Sequence, residues 1–121
     1  MYSFSFEKLE VWQNSRAFIL IVYELPNRFP SYPTYGISSQ LKRSATSIAT
    51  NIAEGISRNT KKDTAHFLTI SYSSAMENLN HLIISTDLNY LTEEDYLICR
   101  EKLEKICNQI NNLKKYYLSN S

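Results

Sequence analysis

Seven residues in the last third of the chain, Tyr96, Cys99, Leu103, Ile106, Ile110, Leu113 and Tyr117, follow one another in alternating steps of three and four. That spacing places all seven on one helical seam and fits no strand face. A seam of this kind packs at a shallow angle against neighbouring helices, so the chain must provide other helices to cover it. Three further stretches answer. Leu9, Trp12, Ile19 and Tyr23 form one apolar line and Val11, Phe18, Val22 and Leu25 a second; Leu41, Ala45, Ile48, Ile52 and Ile56 form a stripe; so do Leu68, Tyr72, Ala75, Leu79, Leu82 and Ile83. No stretch alternates with period two for long enough to make a strand, and two Gly and three Pro disfavour a turn-rich β fold. The prediction is an all-α, up-down-up-down four-helix bundle. Its 121 residues suffice for a single domain, 1–121, that buries a core without metal or disulfide, with the first few residues and 119–121 frayed.

Local signals set the expected boundaries. Helix one runs from about Phe6 or Lys8 to Pro26 or Phe29, where Pro26, Pro30 and Pro33 break it and stiffen the connection. Helix two starts between Thr34 and Ile37 and runs to about Glu54. Gly55 either ends it in the left-handed conformation or sits within it at a cost of about 1 kcal/mol relative to Ala. Thr60, answered by Asp63, caps helix three, which continues to about Asp87. Asn89-Tyr90-Leu91 connects to helix four, opened by Thr92-Glu-Glu-Asp95 with its acids in the first turn. Helix one is apolar nearly all round from Ala17 to Tyr23. That excess means either deep packing or a second buried face against another subunit.

Helix two has an unusual polar side. Gln40, Arg43, Ser44, Ser47, Asn51, Glu54 and Arg58 fall together, mostly short side chains with three charges among them. Helix three repeats the style with Phe67, Ser74, Glu77, Asn78 and His81. A solvated helix face normally mixes Lys and Glu, so the expectation is a buried polar network. In it Arg43, Glu54, Arg58 and Glu77 pair, and Ser47, Asn51 and Ser74 complete the hydrogen bonds, fixing register or assembly more than adding stability.

Other chemistry is poorly supplied. A di-metal centre in a bundle asks for several Glu and two Glu-x-x-His pairs; the nearest approach is Glu77 with His81, spaced by four, plus Glu54. No glycine-rich phosphate loop or nucleophile elbow occurs. Cys99 and Cys107 lie eight apart on one helix, too far to bridge, and read as reduced buried thiols. No enzyme activity, metal or cofactor is expected. The longest apolar run is seven residues, against about 20 for a membrane span, and Met1–Lys8 has no secretory pattern, so a cytoplasmic protein is expected. Net charge is +1. Residues 31–62 nevertheless carry Lys42, Arg43, Arg58, Lys61 and Lys62 against Glu54 alone, a local excess of +4. Lys42, Arg58, Lys61 and Lys62 are the candidate phosphate contacts.

Several strings point to a family. Phe6-Glu-Lys-Leu-Glu-Val-Trp-Gln, Tyr35-Gly-Ile-Ser-Ser-Gln-Leu-Lys-Arg-Ser-Ala-Thr-Ser-Ile, Asn51-Ile-Ala-Glu-Gly and Ser74-Ala-Met-Glu77 resemble the four-helix-bundle proteins encoded in intervening sequences of bacterial 23S ribosomal RNA genes. The fold is also similar to the accessory variability protein of diversity-generating retroelements, which is markedly basic where this chain is near neutral. The resemblance implies a homopentameric ring, no enzymatic activity, and nucleic-acid or ribonucleoprotein binding through basic surface. By that pattern Arg43, Asn51, Glu54, Gly55, Arg58, Ser74 and Glu77 are signature positions. The alternative is a protein-binding adaptor with no nucleic-acid role.

Overall fold

The computed structural model describes residues 1–30 and 34–120. Four antiparallel helices follow one another: α1, Glu10–Glu24; α2, Tyr35–Ile56; α3, Lys61–Asp87; and α4, Glu93–Ser119. Each packs on the next, and α4 closes the bundle against α1, an up-down-up-down arrangement.

The helix ends follow from local chemistry. Short 3₁₀ turns flank α1 at Ser5–Lys8 and Leu25–Arg28, so α1 is shorter than periodicity suggests. Pro26 carries no N–H and cannot continue the ladder, and the chain tightens until Phe29 N–H reaches the Pro26 carbonyl at 3.1 Å. The expected break at Pro33 and the frayed Ser121 lie outside the described residues. Thr60 and Thr92 both cap as anticipated, their hydroxyls accepting from Asp63 N–H and Asp95 N–H at 3.1 Å each. The α3–α4 connection is a Schellman closure. Asn89 takes φ 63°, Tyr90 N–H reaches the Ser85 carbonyl at 2.9 Å, and Asn89 N–H reaches Thr86 at 3.0 Å.

The core forms on the expected stripes. Phe18 and Val22 of α1, Leu41, Ala45, Ile48 and Ile52 of α2, Leu68, Ala75 and Leu82 of α3, and Cys99, Leu103, Ile106 and Ile110 of α4 join one buried cluster. Each large side chain there contributes roughly 1.5–3 kcal/mol. Ile83 departs from the expected stripe and is exposed; one residue past Leu82, it is turned about 100° away from the core. On α1 only one apolar line is fully covered. Leu20, 70% exposed, and Tyr23 remain in solvent. No helix among the described residues is long and apolar enough to cross a membrane.

Candidate functional site

The polar faces of α2 and α3 do meet. They form an interhelical seam of short, neutral side chains rather than a nest of buried charges. Thr64, Ser71, Asn78 and Ser85 are buried and recur every seven residues on α3; Ser44 and Gly55 are buried opposite them on α2. Thr64 Oγ1 donates to the Gly55 carbonyl at 2.8 Å, and Ser71 Oγ to the Ile48 carbonyl at 2.8 Å. Asn78 Nδ2 donates to the Leu41 carbonyl and to Ser44 Oγ, both at 3.0 Å. Ser47 and Ser74 hydroxyls lie 2.8 Å apart, and Asn51 Nδ2 donates back to Ser47 Oγ at 3.0 Å. Hydroxyl-to-carbonyl bonds of this length bring the helix backbones close together, which only small residues permit.

Gly55 makes that closeness possible. A Cβ placed on it would stand 2.8 Å from Phe67 Cβ and 3.3 Å from the Thr64 carbonyl. The residue lies in the last turn of α2, with no positive φ. Of its two expected roles the structure takes the one inside the helix, and the reason is space rather than backbone freedom. Phe67 then carries Arg58, whose guanidinium sits 5.2 Å above the ring.

The charged residues lie at the margin of the seam and do not join one network. Arg43 pairs with Glu77 and bonds Gln40 Oε1 through Nε at 3.0 Å and Nη2 at 2.7 Å. Its side chain is 56% exposed, so this pair contributes about 0–1 kcal/mol. Glu54 lies eleven residues on, about three turns from Arg43. It is exposed and makes no ion pair among the described residues. Arg58 faces Asp63 at 4.0 Å, not Glu54 or Glu77. Three charges spread over that length of chain cannot all converge on Glu77, and burying them unpaired would have been costly.

His81 Nε2 approaches Glu77 at 3.5 Å. Burial, and secondarily the charge of Arg43, lower the His81 pKa below its ordinary 6.5. Among the described residues no three His, Cys, Asp or Glu side chains gather as a metal site would require. Both thiols are free and buried. Burial pushes each up to about 11, with Asp95 adding to the effect at Cys99 and Glu104 at Cys107.

The candidate phosphate contacts divide between two ends of the bundle. Lys61 and Lys62 open α3 beside the end of α2. Lys61 Nζ donates to the Asn120 carbonyl at 2.6 Å, while Lys62 is exposed with no partner among the described residues. Lys42 sits fourteen residues before the end of α2, about 21 Å away along the axis, where its ammonium lies 5.2 Å over the Tyr23 ring. The seam residues Thr64, Ser71 and Ser85 were the least conspicuous in the sequence. With Asn78 they recur every seven residues on α3, and that spacing is the signal that identifies them.

One solved structure resembles the chain closely in fold: a protein of unknown function from the S23 ribosomal protein family of Bacteroides thetaiotaomicron, 24% identical, covering 87% of this chain and 95% of its own, with a TM-score of 0.79. At that identity the likeness speaks for the fold. No curated protein matches the sequence. The profile of the 23S rRNA-intervening sequence protein family matches residues 7–112; neither this match nor the solved relative points to the retroelement accessory protein. The chain is a member of the 23S rRNA-intervening sequence protein family.

Proposed function

We propose that the chain is a non-enzymatic, self-associating binding module whose assembled surface engages nucleic acid or ribonucleoprotein. The observation that carries the reading is the uncovered side of α1. The bundle buries Phe18 and Val22 but leaves Leu20 and Tyr23 exposed, and Leu97 and Ile98 of α4 are exposed as well. Large apolar side chains in solvent mark contact surfaces. The family resemblance suggests a pentameric ring, which would repeat the Lys61–Lys62 turn five times and multiply a weak phosphate contact. Light scattering tests the assembly: a mass of five protomers is expected, and a monomer across micromolar concentrations refutes it.

A second reading, a protein-binding adaptor with no nucleic-acid role, is favoured by the occupancy of the cations. Arg58 is engaged by Asp63 and Phe67 and Lys61 by Asn120, leaving Lys62 the most available. Binding of mixed RNA and DNA at two salt concentrations separates the readings. Salt-sensitive binding that is lost in Lys61→Ala/Lys62→Ala supports nucleic acid; its absence leaves the adaptor.

A further inference from the structure

The net charge of +1 hides an uneven distribution along the bundle. The start of α1, the end of α2, the start of α3 and the end of α4 share one end of the molecule. Lys8, Arg58, Lys61, Lys62, Lys114 and Lys115 stand there against Glu7, Glu54 and Asp63. The opposite end carries Glu24, Asp87, Glu93, Glu94 and Asp95 around Arg28. Two of the three acids at the basic end are engaged: Glu7 accepts from Phe4 N–H at 2.7 Å, and Asp63 faces Arg58 at 4.0 Å. Lys105, paired with Glu10, is the one lysine in an ion pair among the described residues, so the lysines of the basic end are free of acids. A lopsided charge of this kind turns the basic end toward a polyanion.

The same end carries uncovered aromatic rings. Tyr116 is 57% exposed, and Tyr2 and Phe4 are more exposed still. Tyr116 is braced all the same: its ring lies 5.3 Å from that of Tyr117 at 83°, and Tyr117 packs against the core. Tyr2 and Phe4 meet each other edge to face at 4.9 Å. Phe4 precedes the Ser5–Lys8 turn, and Leu9, directly after it, lines one shallow recess with Tyr116. Ring and cation are neighbours here. Lys61 Nζ donates to the Asn120 carbonyl at 2.6 Å, and Asn120 Nδ2 donates to the Tyr116 carbonyl at 2.7 Å. Lys61 is thereby pinned to the turn of α4 that presents Tyr116, with two of its three N–H donors left over. Lys62 follows it on α3, and Lys115 precedes Tyr116 on α4. Tyr2, Phe4, Lys115 and Tyr116 all lie outside the span 7–112 that matches the family profile, so this surface is built on flanks that the profile does not describe.

We propose that this end of the bundle binds single-stranded nucleic acid, with one base stacked on Tyr116, others on Tyr2 or Phe4, and the phosphates between them on Lys61, Lys62 and Lys115. The proposal rests on the nucleic-acid reading of the Lys61–Lys62 turn. It adds the strandedness of the ligand and three aromatic residues that phosphate contact alone does not require. A single strand alternates an uncovered base with a phosphate, and this surface sets rings beside ammonium groups to match. A duplex keeps its bases stacked inside and offers the lysines phosphate alone. A bilayer surface asks for one continuous apolar face, whereas Lys61 and Lys115 stand directly beside Tyr116.

The experiment follows the fluorescence anisotropy of an oligothymidylate of about twenty nucleotides, alone and as its duplex with oligoadenylate, against the full chain at two salt concentrations. The strand carries 5-iodouracil, so that ultraviolet light joins it to a ring on which it stacks. Salt-sensitive binding that favours the single strand is expected. Tyr116→Ala should weaken it at least about fivefold, Tyr116→Phe, which keeps the ring, should not, and the crosslinked peptides should contain Tyr116, Tyr2 or Phe4. The exposure of Tyr116 leaves the helices intact in both variants, which circular dichroism checks. Binding lost in Lys61→Ala/Lys62→Ala but unchanged in Tyr116→Ala, or a duplex bound as tightly as the strand, overturns the proposal and leaves phosphate contact at the turn standing. Absence of salt-sensitive binding to either form overturns both. Capture of the protein by phosphatidylserine vesicles in preference to the strand gives the surface to lipid and overturns the proposal as well.

Discussion

Gly55 and His81 show how much one position can decide in this protein. In a helix, Gly to Ala ordinarily stabilises by about 1 kcal/mol. Here the added methyl would press on Phe67 Cβ at 2.8 Å, an atom fixed to the α3 backbone that cannot swing aside. Gly55→Ala is therefore expected to destabilise by about 1–3 kcal/mol and to lower the melting temperature by several degrees, as measured by thermal unfolding; a rise would mean that the helices are not this close. His81 makes a pH prediction. Its pKa is lowered in the folded state by burial and by Arg43, so the unfolded chain takes up a proton first as pH falls. Stability is full above about 6.5 and declines as pH drops below it. Urea midpoints between pH 7.5 and 5.5, values chosen about the ordinary His pKa, should show that slope. Arg43→Gln should flatten it by removing the second cause and leaving Glu77 to attract the imidazolium. Neither residue's role was legible from the sequence. Gly55 had two open readings until Phe67 was seen against it, and His81 became interpretable only with its neighbours in place.

At the level of elements, periodicity carried far. The α4 seam from Cys99 to Ile110 and the α2 stripe from Leu41 to Ile52 are buried as their spacing demanded, with Tyr96, Leu113, Tyr117 and Ile56 half-buried against the same core, and both threonine caps hold their helices. The ends of α1 were harder to read, because each 3₁₀ turn is four residues long, too short for its period of 3.0 residues to show against 3.6 in the apolar pattern. The α3–α4 link could be named as a connection but not typed, since its closure depends on one residue adopting a positive φ. That residue, Asn89 at φ 63°, is the natural place for a test. Asn89→Gly is expected to stabilise by a few tenths of a kcal/mol, whereas Asn89→Ala should cost about 1 kcal/mol. Denaturant unfolding of the two variants reads the difference, and equal midpoints would contradict the closure. The expected charge network is reduced to one of its pairs for an element-level reason too. Arg43 and Glu54 stand about three turns apart on α2 and Arg58 follows its end, so Arg43 alone reaches Glu77 while Arg58 meets Asp63.

For the whole molecule, the open question is how the exposed side of α1 is used. If it joins subunits, Leu20→Glu should give a folded monomer, with unchanged circular dichroism and a single-protomer mass by light scattering. An oligomer that persists would move the interface elsewhere. The same variant tests how binding depends on assembly: salt-sensitive attraction to nucleic acid that rests on repeated copies should fall steeply in the monomer.

The seven-residue recurrence of Thr64, Ser71, Asn78 and Ser85 carries a hazard. A polar ladder with a regular repeat resembles a ruler with unnumbered marks. Sliding α3 two turns along α2 would still bring polar groups opposite polar groups, and an incompletely folded chain has little to tell one alignment from the next. Phe67 breaks the degeneracy. In the native alignment it rests in the gap over Gly55; two turns away it would meet the side chain of Ile48. One missing methyl group thus serves as the zero mark on the scale, and proofreads the pairing of the two longest-paired helices in the bundle.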